Sequence, residues 1–457
     1  MLRTLFMTLI FVSFLAAGLA APFILTLGYI WVDTIRPQDI TWYVLNQMPV
    51  AMIMGVAALA SYCLLDRRSP PRLTLGTVLT VLTGCWITAT MFWAEVPAAG
   101  WSKWDWAFKS VMFSAFIPLV IRSRVQIEAF VQVYVLSLAA NFIPFAAKVL
   151  TSGGGYGRNL GLMGGNSNLS EGELLSTVVL MALPLALHLG RHTQLLPRTR
   201  LVKLGYTGLA GCALITALGT YERSALVGMV ALGGYMLMRS RNKMVFGLCL
   251  AAVTVAIATL MSAGWTDRIS TVTDPTSSGM ERLLVWMWTF NYAVAHPFGG
   301  GFNCFVIDRL DFPDGHVVFG RAFQSSYFEM LGAHGWIGLG LFLGVLAWTF
   351  FGLRRLARRT RTISHLAWCA DLSDALQAGL VVFMTAGSFV DIAFQPEIWY
   401  FVAMAVSLRE YVRRVEQQAA PAVGWRARAL PTMTGTATSA ATGTPWRQRP
   451  AWSKPGL

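Results

Sequence analysis

The chain has 457 residues, of which 55% are hydrophobic and only 13% charged, whereas soluble domains carry roughly 25% charged residues. Its formal net charge is +14, but the basic residues stand in short gaps between apolar runs rather than in one interleaved basic patch. This arrangement argues against a nucleic-acid partner. The composition therefore excludes a soluble enzyme and predicts a membrane protein.

Apolar runs recur from the N-terminus to about residue 408, and runs of about 17 to 25 residues are long enough to cross a bilayer. We predict an all-α polytopic membrane protein with about twelve transmembrane helices. The predicted spans are 5–31, 42–65, 74–93, 104–121, 126–150, 173–190, 204–219, 223–238, 244–263, 335–353, 372–390 and 394–411. Residues 1–21 also resemble a cleavable signal peptide, but apolar character continues to Trp31, which favours an uncleaved first helix.

Alternate gaps between the spans are rich in arginine and lysine. They are 66–72, 122–124, 191–203, 239–243 and 354–361. The positive-inside rule places these gaps in the cytoplasm, together with both termini. The two longest gaps, 151–172 and about 264–334, then lie on the outer side.

This pattern predicts four regions. Residues 1–263 hold nine transmembrane helices, residues 264–334 form a large outer loop, and residues 335–416 hold three more helices. Residues 417–457 are rich in Ala, Pro, Thr and Gly, which predicts a disordered cytoplasmic tail. Within the outer loop, 281–296 is apolar with a tryptophan pair, which indicates a helix at the membrane interface.

The sequence gives no sign of a metal site or a bound cofactor. Six cysteines show no CxxC spacing, and five of them lie in or beside predicted spans. The glycine-rich stretches 152–157 and 297–303 neither follow a strand nor match a phosphate-binding loop. We interpret them as places where backbones approach closely.

Four arginines lie on the predicted outer side, where the positive-inside rule predicts few basic residues. They are Arg158, Arg223, Arg282 and Arg321. Guanidinium groups bind phosphate oxygens through paired hydrogen bonds and keep their charge in a low dielectric, so together these residues suit a diphosphate. Alternatively, Arg223 pairs with Glu222 and reaches the headgroups, and Arg282 is an interfacial anchor.

The outer side also carries titratable groups that suit proton transfer. His316 and His334 are candidate bases, and Glu329 stands five residues before His334. His296 ends a predicted helix, where a cation is favoured, and Asp391 in a short outer turn suits a helix cap.

The stretches "AHPFGGGFNCF" and "SSYFEMLGAHGWIGLGLF", late in a chain of about twelve spans, resemble the O-antigen ligase and polymerase superfamily of bacterial envelope enzymes. The segments "TLGYIWVDTIRPQDITW" and "LTSGGGYG" are similar to one branch, the O-glycosylation ligases associated with exosortases. The likeness covers about residues 20–350.

This resemblance implies a GT-C-like glycosyltransferase in the bacterial inner membrane, with its large loop in the periplasm. It implies transfer of a glycan from undecaprenyl diphosphate to a protein or glycolipid acceptor, without nucleotide, metal or other cofactor. Arg223 and Arg282 match the family's arginines and would hold the donor's diphosphate and stabilise the leaving group.

One position departs from the family pattern. The superfamily usually has a histidine eleven residues before the glycine that opens the following span, and counting back from Gly335 gives Gln324. Glutamine forms hydrogen bonds but cannot accept the acceptor's proton. Either His316, His334 or Glu329 replaces that histidine, or substrate positioning suffices, or activity is lost or changed.

Three other functions remain open from the sequence. A polysaccharide polymerase of the same superfamily would differ only in its acceptor. A flippase for a lipid-linked glycan would need a positively lined cavity, but few charges fall inside the predicted spans. A catalytically silent subunit that binds the lipid-linked glycan would fit Gln324.

Overall fold

The computed structural model describes residues 2–42, 45–68, 70–152, 155, 169, 171–240, 242–244, 247, 278–312 and 315–419. Contacts divide the chain into Met1–Arg414, which holds the helical bundle, and Val415–Leu457, of which residues 415–419 are described. Arg158 lies outside the described residues, as do almost all of the predicted span 244–263 and almost all of the predicted tail.

The described part is mostly helical. Its helices are α1 (Leu2–Ala20), α2 (Pro22–Ile35), α3 (Pro37–Ile40), α4 (Val50–Leu65), α5 (Leu75–Ala89), α6 (Pro97–Val120), α7 (Arg124–Ser152), α8 (Gly172–His192), α9 (Arg200–Gly219), α10 (Arg223–Arg239), α11 (Ser278–Ala295), α12 (Ser326–Thr360), α13 (Ala367–Ala386) and α14 (Pro396–Ala419). The two strands, β1 (Arg309–Asp311) and β2 (Val317–Phe319), form an antiparallel hairpin.

Seven of the described helical segments are long and apolar enough to cross a membrane, which supports a polytopic membrane protein. They are Leu2–Ala20, Leu75–Trp93, Arg124–Ser152, Gly172–His192, Arg200–Gly219, Ser326–Thr360 and Ser364–Ala386. Two shorter apolar helices, Pro22–Ile35 and Val50–Leu65, accompany them. The count of about twelve stays a prediction.

The predicted first span, 5–31, is two helices rather than one. Helix α1 ends at Ala20, and α2 begins at Pro22 after an extended Ala21. Proline has no N–H to donate, so it fits the first position of a helix and interrupts a continuous one. The sequence analysis was therefore wrong to treat the two apolar stretches as a single helix.

The centre of the bundle is built on α8 and α13, the most buried of the candidate spans. Helix α8 packs on α7, α9, α10 and α13, and α13 packs on α10 and α12. Helix α14 meets α7 through fully buried aromatic rings, where Tyr134 lies 6.0 Å from Tyr400 and 6.2 Å from Phe401 between ring centroids.

Helix α12 is kinked at Gly335, which has φ 65° and ψ −167°. The glycine-rich segment after α11 docks at this kink through its backbone. The N–H groups of Gly300 and Gly301 donate to the carbonyls of Gly332 and Ala333 at 3.1 and 2.8 Å. These bonds satisfy carbonyls that the interrupted helix leaves unpaired. The predicted close backbone approach of 297–303 is therefore present in the structure.

Candidate functional site

Arg282 is held by two side chains from different parts of the chain. It lies just after the first turn of α11, where its Nε donates to Gln324 Oε1 and its Nη2 to Glu173 Oε1, each at 2.8 Å. The arginine side chain is 14% exposed. Because Glu173 belongs to the first turn of α8, these contacts join the beginnings of two helices around one guanidinium group.

Gln324 orients Arg282 from a backbone conformation that is uncommon outside glycine. Its φ is 51°, in the left-handed region, just before α12 begins. Its Nε2 donates to Glu281 Oε1 at 3.4 Å, and Arg321 Nε pairs with the same oxygen at 2.9 Å. The structure thus brings together three predicted site residues, which with two glutamates form the Arg282 cluster: Glu173, Glu281, Arg282, Arg321 and Gln324.

Arg223 begins α10 beside this cluster. Glu222, which precedes it, is 5% exposed and packs against the start of α8: a Cβ atom added to Gly172 would lie 3.0 Å from Glu222 Oε1. The next residue in the chain, Glu173, contacts Arg282. The starts of α8, α10 and α11 are therefore neighbours, as a shared anion site would require.

A second polar group, the carboxylate pair, consists of Glu329 and Asp391. Lys103 Nζ lies 2.7 Å from Glu329 Oε1, and the backbone N–H of Ala393 donates to Glu329 Oε2 at 3.2 Å. Asp391 Oδ1 accepts the backbone N–H of Ser325 at 2.7 Å. Asp391 therefore fixes the chain directly beside Gln324.

The carboxylate pair lines a cavity of about 350 Å³. Lys103, Arg36, Glu171 and Gln395 also contribute polar groups to its wall. Burial, and next the negative charge of Glu329, raise the pKa of Asp391 from 3.8 to about 7. A carboxyl with a pKa near neutrality exchanges protons readily at physiological pH, which suits acid–base chemistry.

The two histidines predicted as candidate bases lie in different settings. His316 is exposed beside the hairpin turn, and its ring stacks on Phe312 at 4.2 Å. His334 is fully buried, with Nδ1 2.8 Å from the hydroxyl of Thr90 and its ring against Phe302 at 4.5 Å. None of these contacts involves a residue of the Arg282 cluster. Glu329, the third candidate base, lines the 350 Å³ cavity.

The sequence analysis missed the part played by Lys103 and gave Asp391 only a capping role. Lys103 lies in the second turn of α6, in the tryptophan-rich stretch "GWSKWDW", on the predicted outer side where basic residues are few. A lysine that departs from the charge pattern was the available signal. Asp391 could not be paired with Glu329 from the sequence, because the two residues lie on different elements far apart in the chain.

Two family models match parts of the chain. Residues 2–194 match a family of unknown function, DUF5935, and residues 208–343 match the family described as O-antigen ligase. No curated protein matches the chain. The second match contains Arg223, Arg282, Arg321, Gln324 and Glu329. This match to O-antigen ligase covers less than half of the chain, and it supports a ligase- or polymerase-type membrane glycosyltransferase.

Proposed function

We propose that this protein transfers a glycan from undecaprenyl diphosphate to an acceptor hydroxyl at the outer face of the bacterial inner membrane. The observation that carries the proposal is Arg282, only 14% exposed, which Gln324 holds within the segment that matches O-antigen ligase and Glu173 holds from outside that segment. The resemblance to exosortase-associated ligases favours a protein or other terminal acceptor over a growing polysaccharide.

Arg282 is the proposed anchor of the donor's diphosphate. Two of its nitrogens already bind Gln324 and Glu173, which fixes the plane of the guanidinium group before a substrate arrives. Its remaining N–H donors suit phosphate oxygens. Arg223 and Arg321 would add positive charge from neighbouring elements, and Glu173 and Glu281 balance that charge while the site is empty of donor.

In the proposed reaction, the acceptor oxygen attacks the anomeric carbon of the donor sugar. The bond between this carbon and the phosphate oxygen breaks, and undecaprenyl diphosphate leaves with the bonding electrons. Fixed arginines stabilise the negative charge that develops on the leaving group. We propose that this step needs no metal ion, because the guanidinium groups supply the positive charge.

The acceptor's proton needs a base, and Gln324 cannot serve as one. We infer that the carboxylate pair accepts it. Asp391 lies against the backbone beside Gln324, lines a cavity that could admit an acceptor, and has a pKa of about 7. His334 is fully buried, so we assign it a structural role in the contact between α12 and Thr90.

A donor-turnover assay tests the proposal. Purified protein would receive undecaprenyl-diphosphate-linked glycan and an acceptor, with a chelator present, and released undecaprenyl diphosphate would be measured. We expect Arg282→Ala to lower the rate at least about 100-fold, since loss of one fixed donor at a developing charge has effects of that size. Arg309→Ala is the matched control, because this arginine is 63% exposed on the hairpin.

Comparing the turnover of the wild type with that of Gln324→His distinguishes a working enzyme from a catalytically silent subunit. Turnover by the wild type would support the transferase and show that transfer proceeds with glutamine in place of the usual histidine. An inert wild type beside an active Gln324→His variant would instead indicate a protein that binds the donor without transferring it. Equal turnover by wild type and Arg282→Ala would refute the proposed diphosphate site.

A further inference from the structure

A cluster of two histidines and an aspartate lies at the opposite end of the bundle from the Arg282 cluster. His188 and His192 are one turn apart on α8, and Asp371 faces them from α13. This end carries the basic gaps that predict a cytoplasmic location. Along α8, at about 1.5 Å per residue, His188 stands about 22 Å from Glu173.

The three side chains offer a metal ion two nitrogens and one oxygen. Among the described residues they form a group whose ligand atoms all lie within 4.8 Å of one another. Around a tetrahedral ion with bonds of about 2.0 Å, ligand atoms stand roughly 3.3 Å apart. His192 Nε2 and Asp371 Oδ2 are 2.6 Å apart, so they would separate slightly as an ion enters.

A second observation points to a missing ligand at this place. His188 is 7% exposed, and its Nδ1 is buried without a hydrogen-bond partner in the described structure. Buried polar atoms are normally paired, because leaving one unpaired costs about 1–3 kcal/mol. A metal ion between α8 and α13 would account for this cluster.

An adjoining cavity supplies space for a further ligand. It measures about 540 Å³ and is lined by His188 and Asp371 among other residues. Two of the three arginines in its wall bind a different aspartate: Arg239 pairs with Asp374 at 2.8 Å, and Arg361 pairs with Asp374 as well. Asp371 contacts His192 and forms no ion pair with an arginine among the described residues, so it can bind an ion together with His192, and a water molecule from the cavity can complete the coordination.

We propose that His188, His192 and Asp371 bind a divalent transition-metal ion, with Zn²⁺ the best match, and that the ion clamps α8 to α13. Two imidazoles with one carboxylate suit Zn²⁺ better than Mg²⁺ or Ca²⁺, which prefer oxygen ligands alone. The clamp lies far from the Arg282 cluster, so this inference stands whether or not the proposed transfer reaction is correct.

Metal titration of the full-length protein tests the site. Tag-free protein in detergent would be stripped with a chelator, exchanged into metal-free buffer and titrated with Co²⁺, with Zn²⁺ as competitor. We expect one equivalent of Co²⁺ with the visible absorption of a site containing nitrogen and oxygen ligands, displaced by Zn²⁺. We also expect Zn²⁺ to raise the thermal midpoint of the stripped protein.

Substitutions identify the ligands. Asp371→Asn and His192→Gln change partly exposed side chains without a large change in size. They therefore test the site even if substitution of the buried His188 prevents the protein from folding. We expect each to weaken Co²⁺ binding at least about tenfold and to abolish the Zn²⁺-dependent rise in midpoint. His365→Ala, an exposed histidine at the same end, is the matched control and should bind as wild type does.

Two results would overturn the site. One is the absence of saturable Co²⁺ binding by the wild type. The other is Co²⁺ binding that Asp371→Asn and His192→Gln leave unchanged. If such binding also showed the near-ultraviolet absorption of thiolate ligands, the ion would be bound by cysteines elsewhere in the protein.

Discussion

Gln324 shows how far single residues can be interpreted from this sequence. Counting from Gly335 locates the departure from the family pattern, and the outer arginines can be selected from the charge pattern alone. The hydrogen bond between Gln324 and Arg282 spans 42 positions in the chain, so no local pattern indicates it. Sequence reasoning therefore predicted most members of the Arg282 cluster but not how they pair.

We expect Gln324→Ala to weaken donor binding about tenfold, because a hydrogen bond to a charged group contributes about 1.5–3 kcal/mol and Arg282 would keep only its contact with Glu173. Binding of the donor to the purified variant, measured by competition with a labelled analogue, would check this result. Gln395→Ala, in the wall of the neighbouring cavity, is the control for a general loss of polar groups. Unchanged donor affinity in Gln324→Ala would contradict the orienting role.

Asp391 should make the stability of the protein depend on pH. Its pKa in the folded protein is about 7, above its usual value of 3.8, so the protonated form favours folding. The resulting stabilisation is fully present below about pH 4 and is lost as the pH rises through about 7. Asp391→Asn mimics the protonated carboxyl and should remove this trend.

Thermal unfolding of both proteins at several pH values between about 5 and 8 would measure the difference. Asp311→Asn, at a position 65% exposed on the hairpin, is the matched control and should follow the wild type. A gap between wild type and Asp391→Asn that stays constant across this range would contradict the raised pKa. If the carboxylate is the base, the transfer rate should rise with pH over the same interval.

Among the secondary-structure elements, α12 departs most from its prediction. The sequence places the start of a span at Gly335, and the chain does change direction there. The structure adds a helical segment from Ser326 to His334 before the kink, which carries Glu329. Hydropathy detects the apolar part, but the preceding turns are stabilised by contacts with distant residues and leave no periodic apolar pattern.

Gly335→Ala should destabilise the protein strongly. The backbone at Gly335 lies in a region that is nearly exclusive to glycine, which alone costs another residue about 1–3 kcal/mol, and an added Cβ would stand 2.1 Å from the carbonyl oxygen of Pro297. We expect a lower thermal midpoint and less folded protein in size-exclusion chromatography.

Gly340→Ala provides the matched control on the same helix. A Cβ at Gly340 meets nothing within 4 Å, and alanine favours helix over glycine by about 1 kcal/mol. This variant should fold at least as well as the wild type. Equal behaviour of the two alanine variants would show that the kink does not need glycine.

For the whole molecule, composition and hydropathy predicted a polytopic helical membrane protein, and the structure supports this class. The number of spans could not be obtained as reliably, because helices such as α4, with 16 residues, and α2, with 14, fall at the lower limit for crossing. The proline at the start of α2 also divides one apolar stretch into two helices. Hydropathy measures apolar length, not where a helix ends.

Labelling would test the predicted orientation. His316 and His365 are both exposed, in loops that the charge pattern assigns to opposite sides of the membrane. In a variant without native cysteines, His316→Cys should react with a membrane-impermeant maleimide added to intact spheroplasts, whereas His365→Cys should react only after lysis. The reverse labelling pattern would show that the topology is inverted and that the Arg282 cluster lies on the cytoplasmic side.

The backbone bonds between the glycine-rich segment and the kink of α12 also bear on biogenesis. Gly300 and Gly301 are synthesised before α12, and they bind the carbonyls of Gly332 and Ala333 near its N-terminal end. A nascent α12 inserted in the reverse orientation would carry these carbonyls to the other face of the bilayer, out of reach of the glycines. The two partners meet only where the glycine-rich segment and the kink lie on the same side of the bilayer, so we expect their pairing to favour that relative orientation of α12.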